Sequence, residues 1–241
     1  MRAFLLSVFL MLAGCAGAID GPADFIFAPI DAGGYKIATF QRISDNRAPL
    51  RIYIEGDGYA FDGRGQPTAN PTPRNRFLRD LAASDSAPNV IYMARPCQYI
   101  KSDKCRQSDW TDGRFSERVV NAMSDAVMSV ARGRPVELVG YSGGAMISGL
   151  VIERNPTLDV QQWVTIAGVL NHRDWTEYFG DMPLKDSLNL DALPDVKQRH
   201  FVAYGDKVVP NVLSRRWVAP ADLVIVPNAT HTMFPLMALD Y

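Results

Sequence analysis

Gly140, Ser142 and Gly144 stand in the spacing G-x-S-x-G, and that spacing is the strongest sign of chemistry in the chain. A serine with glycine two residues before and two after fits a sharp strand-to-helix turn. Such a turn holds the serine in a strained backbone conformation and presents its hydroxyl to a substrate, while the glycines leave room for neighbouring backbone. The surroundings agree. Val136 to Val139 is a short apolar run that follows the Gly133-Arg134-Pro135 break and reads as a buried strand. Ala145, Met146, Ile147, Leu150 and Val151 then recur at helical spacing.

A serine hydroxyl is a weak nucleophile at neutral pH, so it needs a positioned base and a group that orients the base. The elbow arrangement places these in the chain order Ser, then Asp or Glu, then His. The sequence has 3 histidines to choose from. His200 falls inside an apolar strand run and reads as structural, and His172 comes too early for an acid on a later strand to precede it. His231 follows the last strand run, Asp222 to Val226, at a loop, where the base belongs. Asp206 follows the preceding strand on a glycine turn, Tyr204-Gly205-Asp206. Asp195 and Asp222 each precede a strand and fall at the wrong edge of the sheet. Acyl transfer also needs hydrogen-bond donors for the developing oxyanion. The Gly143 amide is one; the Asp57 amide, in Glu55-Gly56-Asp57-Gly58 after an early strand, is the expected second, with the Gly58 amide as the alternative. The Asp57 carboxylate would repel an oxyanion unless it points away.

The elements that must carry these residues alternate. Phe25 to Ile30 and Tyr35 to Ile43 read as two strands joined through Asp31-Ala32-Gly33-Gly34, a hairpin. Strands follow at Leu50 to Ile54, Asn89 to Ala94, Val136 to Val139, Gln162 to Ala167, Arg199 to Tyr204 and Asp222 to Val226. Helical stripes lie around Phe77 to Ala82, over Phe115 to Arg132, and after Ser142. Asp62 to Pro73 and Cys97 to Asp112 read as loops. Strands alternating with helices predict an α/β fold, with a mostly parallel sheet, helices on both faces and an antiparallel hairpin at the N-terminal edge.

Composition places limits on function. A hydrophobic share of 47% and a charged share of 21% describe an ordinary globular chain, and a formal net charge of -1 offers no basic footprint for nucleic acid. Met1-Arg2, then an apolar run from Ala3 to Ala13, reads as a signal segment too short to span a bilayer. It ends in Leu12-Ala13-Gly14-Cys15, which resembles the bacterial lipobox, so Cys15 is the expected lipidation site. The domain reading is a signal at 1–14, a tether at 15–24 and one domain over 25–241, with a short excursion at 171–198. In an oxidising compartment the remaining pair, Cys97 and Cys105, is expected to form a disulfide. The cysteines and histidines show no metal-ligand spacing.

With Gly140-Tyr141-Ser142-Gly143-Gly144, Asp206 and His231 in order, the chain resembles the α/β-hydrolase superfamily over essentially its whole mature length. It looks most like small exported bacterial hydrolases that carry the Arg95-Pro96-Cys97-Gln98-Tyr99 segment; the Thr165-Ile166-Ala167-Gly168 turn and the stretch Pro183 to Leu188 add to the likeness. The resemblance implies a serine hydrolase, carboxylesterase-like, working without metal or cofactor. The expected substrate is a small acyl ester or thioester, and the expected location is the bacterial cell envelope, facing the periplasm from the outer membrane. A serine peptidase and a non-catalytic binding lipoprotein are the alternatives. Trp110, Trp175, Tyr178 and Phe179 are candidate walls of an acyl pocket. Glu55 and Asp57 beside the serine would favour cationic substrates such as amino esters or peptides.

Overall fold

In the computed structural model, which describes residues 21–235, six apolar runs lie side by side as parallel strands. Cys15 and the signal segment fall outside the described residues. The strands are β5 (Leu50–Ile54), β6 (Asn89–Met93), β7 (Val136–Tyr141), β8 (Val160–Ile166), β9 (Gln198–Ala203) and β10 (Leu223–Val226). Their order in space is β6-β5-β7-β8-β9-β10, so the chain starts near one edge, crosses back once, and then winds outward. Strands in the middle of such a sheet are buried on both faces, which is why they read as unbroken Val, Ile and Leu runs rather than alternating ones.

Helices α2 (Glu117–Ala131) and α3 (Gly143–Arg154) cover one face, and α1 (Phe77–Ser84) the other. The strand side chains divide accordingly. Ile52, Ile54 and Leu138 pack with Val119, Met123 and Ile147, whereas Tyr53, Val139 and Tyr141 pack with Leu78 and Phe234. Two further helices sit beyond strand ends: α4 (His172–Phe179), after β8, and the short α5 (Asn211–Ser214), after β9. The Asn171 side chain accepts from the Asp174 amide and so caps the start of α4.

The N-terminal hairpin is broken in a way the sequence reading does not anticipate. Instead of two long strands there are four short ones: β1 (Ile26–Phe27), β2 (Ile30–Ala32), β3 (Tyr35–Ile37) and β4 (Thr39–Ile43). β4 pairs antiparallel with β6, and β1 with β4, which extends the main sheet to eight strands. β2 and β3 form a separate ribbon that turns at Gly33-Gly34, both at positive φ, and leans on α2, with Gly33 against Ala122. Pro29 lies between β1 and β2; it offers no N–H to a ladder, and the ribbon leaves the sheet there. β8 stops at Ile166, one residue short of the predicted end, because Ala167 adopts a positive φ of 47°.

His200 is structural, as its place in a strand run implies. Its Nδ1 lies 2.8 Å from Thr165 Oγ1 and its Nε2 2.9 Å from Gln198 Oε1. The amide oxygen can only accept, so Nε2 carries the hydrogen and Nδ1 accepts from the threonine. Burial pushes the ring's pKa down from 6.5 to about 4. The unfolded chain binds this proton and the native chain does not, so stability is lost as pH falls through 6.5 towards 4. The full effect is about 3 kcal/mol. His172, also buried, is shifted in the same direction by the loss of water. Urea unfolding at pH 7.5 and pH 4.5 should therefore show a loss about 2–3 kcal/mol larger for the native sequence than for His200→Gln. Equal losses in the two proteins would contradict the neutral, buried assignment.

Candidate active site

The turn between β7 and α3 carries Ser142 at φ 51° and ψ -123°, outside the regions that side-chain-bearing residues ordinarily occupy. The residues around it show how that conformation is held. The Ser142 amide donates to the Ile166 carbonyl on β8 at 3.0 Å, and the Ser142 carbonyl accepts from Ala145 and Val169. A side chain at Gly140 would meet the Gly144 carbonyl at 2.6 Å, and one at Gly144 would press on the carbonyls of Ile54 and Glu55. Gly56 faces the serine itself, its missing Cβ 3.0 Å from Ser142 Cβ.

The three residues singled out from the sequence come together at this turn. His231 Nε2 lies 3.1 Å from Ser142 Oγ, and His231 Nδ1 lies 2.9 Å from Asp206 Oδ2. The other Asp206 oxygen accepts from the amides of Val208 and Val209 at 2.8 and 2.9 Å, so the buried carboxylate is fixed from both sides. Tyr141 stands beside the imidazole and donates its hydroxyl to the His231 carbonyl at 3.0 Å, which pins the loop that follows β10. An imidazole whose Nδ1–H is engaged by a carboxylate presents a free Nε2 lone pair to the serine hydroxyl.

Gly143 and Asp57 also meet. The Asp57 carboxylate occupies the space where a side chain on residue 143 would begin, and neither backbone amide has an acceptor among the described residues. The Asp57 side chain does not project into the cleft as a bare charge. Arg95 binds one oxygen, and Arg114 the other at 2.7 Å. Burial works against this carboxylate's charge, yet the two guanidiniums prevail and hold its pKa below the ordinary aspartate value. Glu55 is different. It is buried, donors from Tyr92 and the Gly56 amide reach it at 2.6 and 2.9 Å, and desolvation dominates, so its pKa is raised towards the neutral form. The acidic pair expected to favour cationic substrates is thus largely silenced.

The segment that supports the 55–58 loop is Arg95 to Tyr99. Gln98 donates to the Gly56 carbonyl at 2.9 Å and accepts from the Arg95 amide at 2.9 Å. Tyr99 is 3.2 Å from Tyr92, the partner of Glu55. Cys97 is joined to Cys105, as expected, in a tight turn where Cys97 and Tyr99 both have positive φ. Gly58 is also at positive φ, with the Pro71 carbonyl filling its Cβ position, so it serves the turn. Sequence reading marks the Arg-Pro-Cys-Gln-Tyr string but not what it does, and nothing in the sequence marks Arg114.

The cleft over Ser142 has a volume of about 320 Å³. Its walls include Phe61, Asn75, Val169, Trp175 and Val208. Of the aromatics proposed as walls, Trp175 is here, tied by its indole N–H to the Val208 carbonyl. Trp110 is not. It is buried elsewhere, donating to the Thr68 carbonyl, and Tyr178 and Phe179 are exposed beside Trp175 rather than in the cleft.

No protein-family model and no curated protein matches the sequence. Solved structures do match. Est1E of Butyrivibrio proteoclasticus superposes with a TM-score of 0.58 at 13% identity, covering 86% of this chain and 90% of that one. XC6422 of Xanthomonas campestris, described as an a/b serine hydrolase without lid, gives 0.54 at 13% identity, covering 88% and 87%. An alpha-beta serine hydrolase homologue from Coxiella burnetii gives 0.55 at 13%, covering 86% and 89%. The chain has the α/β-hydrolase fold. In this α/β-hydrolase fold Ser142, Asp206 and His231 all lie just beyond the C-terminal ends of parallel strands, β7, β9 and β10, at one rim of the sheet.

The Arg95–Asp57–Arg114 cluster makes a prediction of its own. Asp57→Ala leaves two buried guanidiniums facing each other without their shared counter-charge. Removing one partner of a buried ion pair costs about 3–5 kcal/mol. Urea denaturation should register a loss of that size, and an unchanged midpoint would show that the cluster carries no structural weight.

Proposed function

We propose that the chain is a serine hydrolase that cleaves carboxylic ester or thioester bonds through an acyl-enzyme, anchored in the bacterial cell envelope by lipid on Cys15. The observation that carries the catalytic part is the unbroken relay of 3.1 and 2.9 Å from Ser142 Oγ through His231 to Asp206. The neighbours' names, serine hydrolase among them, support the same reaction class. The anchoring part rests on Leu12-Ala13-Gly14-Cys15, and the Cys97–Cys105 bond is in keeping with an oxidising compartment.

In the proposed cycle Ser142 Oγ attacks the acyl carbonyl carbon as His231 Nε2 takes its proton. Asp206 stays ionised, keeps Nδ1–H oriented, and offsets the charge on the imidazolium. The carbonyl oxygen, now an oxyanion, takes hydrogen bonds from the Gly143 and Asp57 amides. As the tetrahedral intermediate collapses, His231 passes its proton to the departing alcohol or thiol. Water then attacks the acyl carbon as His231 takes its proton, and His231 returns that proton to Ser142 Oγ as the bond between Oγ and the acyl carbon breaks and the acid departs. A tightly held Asp57 carboxylate matters here, because a loose one would oppose the oxyanion that its own amide stabilises.

A fluorophosphonate probe should label the protein on Ser142, and Ser142→Ala and His231→Ala should abolish labelling. With p-nitrophenyl esters as substrates, Asp206→Asn should lower kcat by roughly three to four orders of magnitude, since the wrong tautomer of His231 is then favoured. Ester hydrolysis that survives Ser142→Ala at full rate would remove the proposal. Faster turnover of aminoacyl amides than of esters would replace it with a peptidase.

A further inference from the structure

The cleft over Ser142 does not end at its own walls. Phe61, Arg114 and Trp175 also line a second, larger hollow of about 770 Å³, whose far side is built from Met182, Pro183 and Leu184. The two hollows adjoin across these three shared residues, with Arg114 at their junction. Its guanidinium carbon is 5.3 Å from the Phe61 ring centre and 5.9 Å from that of Trp175. Only 5% of the residue is exposed. Arg114 Nε donates to the Thr111 carbonyl at 2.5 Å and Nη1 to Asp57 at 2.7 Å. Nη2 has no partner among the described residues, although the side chain lines both hollows.

The charge balance around it is also uneven. One ionised carboxylate, Asp57, is shared between two guanidiniums, Arg95 and Arg114. Glu55, the other acid at the inner hollow, is pushed towards its neutral form. The outer hollow carries Asp112, Asp181 and Lys185 on its walls, and none of them is paired with Arg114. A desolvated arginine with a spare N–H is the geometry that takes a carboxylate, through charge-assisted bonds about twice as strong as neutral ones.

We propose that Arg114, held between the Phe61 and Trp175 rings at the junction of the two hollows, is a specificity residue that binds a carboxylate of the substrate a few carbons from the scissile carbonyl. The substrate class is then an acidic ester, with its free acid on either the acyl or the alcohol side. This rests on the serine-hydrolase reading for the position of the scissile carbonyl. It opposes the cationic preference that Glu55 and Asp57 imply in the sequence.

The test compares kcat/KM for matched acidic and neutral substrates at pH 7.5. The p-nitrophenyl monoester of glutaric acid against its methyl-capped counterpart probes an acyl-side carboxylate. Carboxymethyl butyrate against methoxycarbonylmethyl butyrate probes an alcohol-side one. The acidic member of at least one pair should be favoured tenfold or more, and Arg114→Gln should bring that ratio to within twofold of unity. Absolute rates are expected to fall in the variant, because Arg114 also holds Asp57; the ratio is the readout. Arg114→Lys, which keeps a cation for Asp57 should the glutamine variant fail to fold, should lower the ratio at least threefold. No acidic preference in either pair, or a preference that Arg114→Gln and Arg114→Lys leave intact, overturns the proposal. Calorimetry on Ser142→Ala separates it from the hydrolase reading. Monomethyl glutarate should bind at least tenfold tighter than dimethyl glutarate whether or not the native protein turns over any ester, and equal affinities would overturn the carboxylate subsite alone.

Discussion

The positive φ of Ser142 is the constraint on which the rest depends. A non-glycine residue held in such a region costs of order 1–3 kcal/mol, and it persists only where the surroundings leave it no alternative. Here they come from four directions: β8 through the Ile166 carbonyl, the start of α3 through Gly144, the end of β5 through the Ile54 and Glu55 carbonyls, and Gly56 against the serine's own Cβ. Each contact needs a glycine or a bare backbone edge. The central strands of the sheet are therefore committed to one residue's geometry, and the hydroxyl stays aimed at the imidazole 3.1 Å away without help from a substrate.

A second layer of order stands behind the first. The loop from Glu55 to Gly58 is only as well placed as Arg95, Gln98 and Arg114 make it. Gln98 holds its backbone at Gly56, and the two arginines hold its side chain at Asp57. Arg95 is itself fixed by a segment closed into a small covalent ring by Cys97–Cys105. A buried carboxylate next to an oxyanion site is an electrostatic liability when considered alone. Paired with two guanidiniums it becomes a local source of positive potential, which reverses the sign of what the cleft attracts.

Much of this was legible in the residues, for identifiable reasons. The strand runs stood out because a doubly covered parallel sheet needs continuous apolar strands, as at Val136 to Val139, and α3 stood out because Ala145 to Val151 keeps helical spacing. Asp206 and His231 followed from chain order once the strands were counted. What stayed hidden depends on contacts between distant segments. The break at Pro29 and the separate β2–β3 ribbon depend on how a hairpin meets α2. The role of Arg114 depends on its approach to Asp57, 57 residues earlier. Trp110 and Trp175 are equally plausible pocket walls in sequence, and only packing sends one to the core and the other to the cleft. Glu55 and Asp57 look alike as letters, yet one is drawn towards neutrality by desolvation and the other kept charged by its partners.

The most direct measurement is a crystal structure of the protein after reaction with a fluorophosphonate. Phosphorus bonded to Ser142 Oγ, with one phosphoryl oxygen about 2.7–3.1 Å from both the Gly143 and Asp57 nitrogens, is the geometry expected of a preorganised oxyanion site. A phosphoryl oxygen turned away from those two nitrogens, or an adduct on any other residue, would contradict the account at its centre.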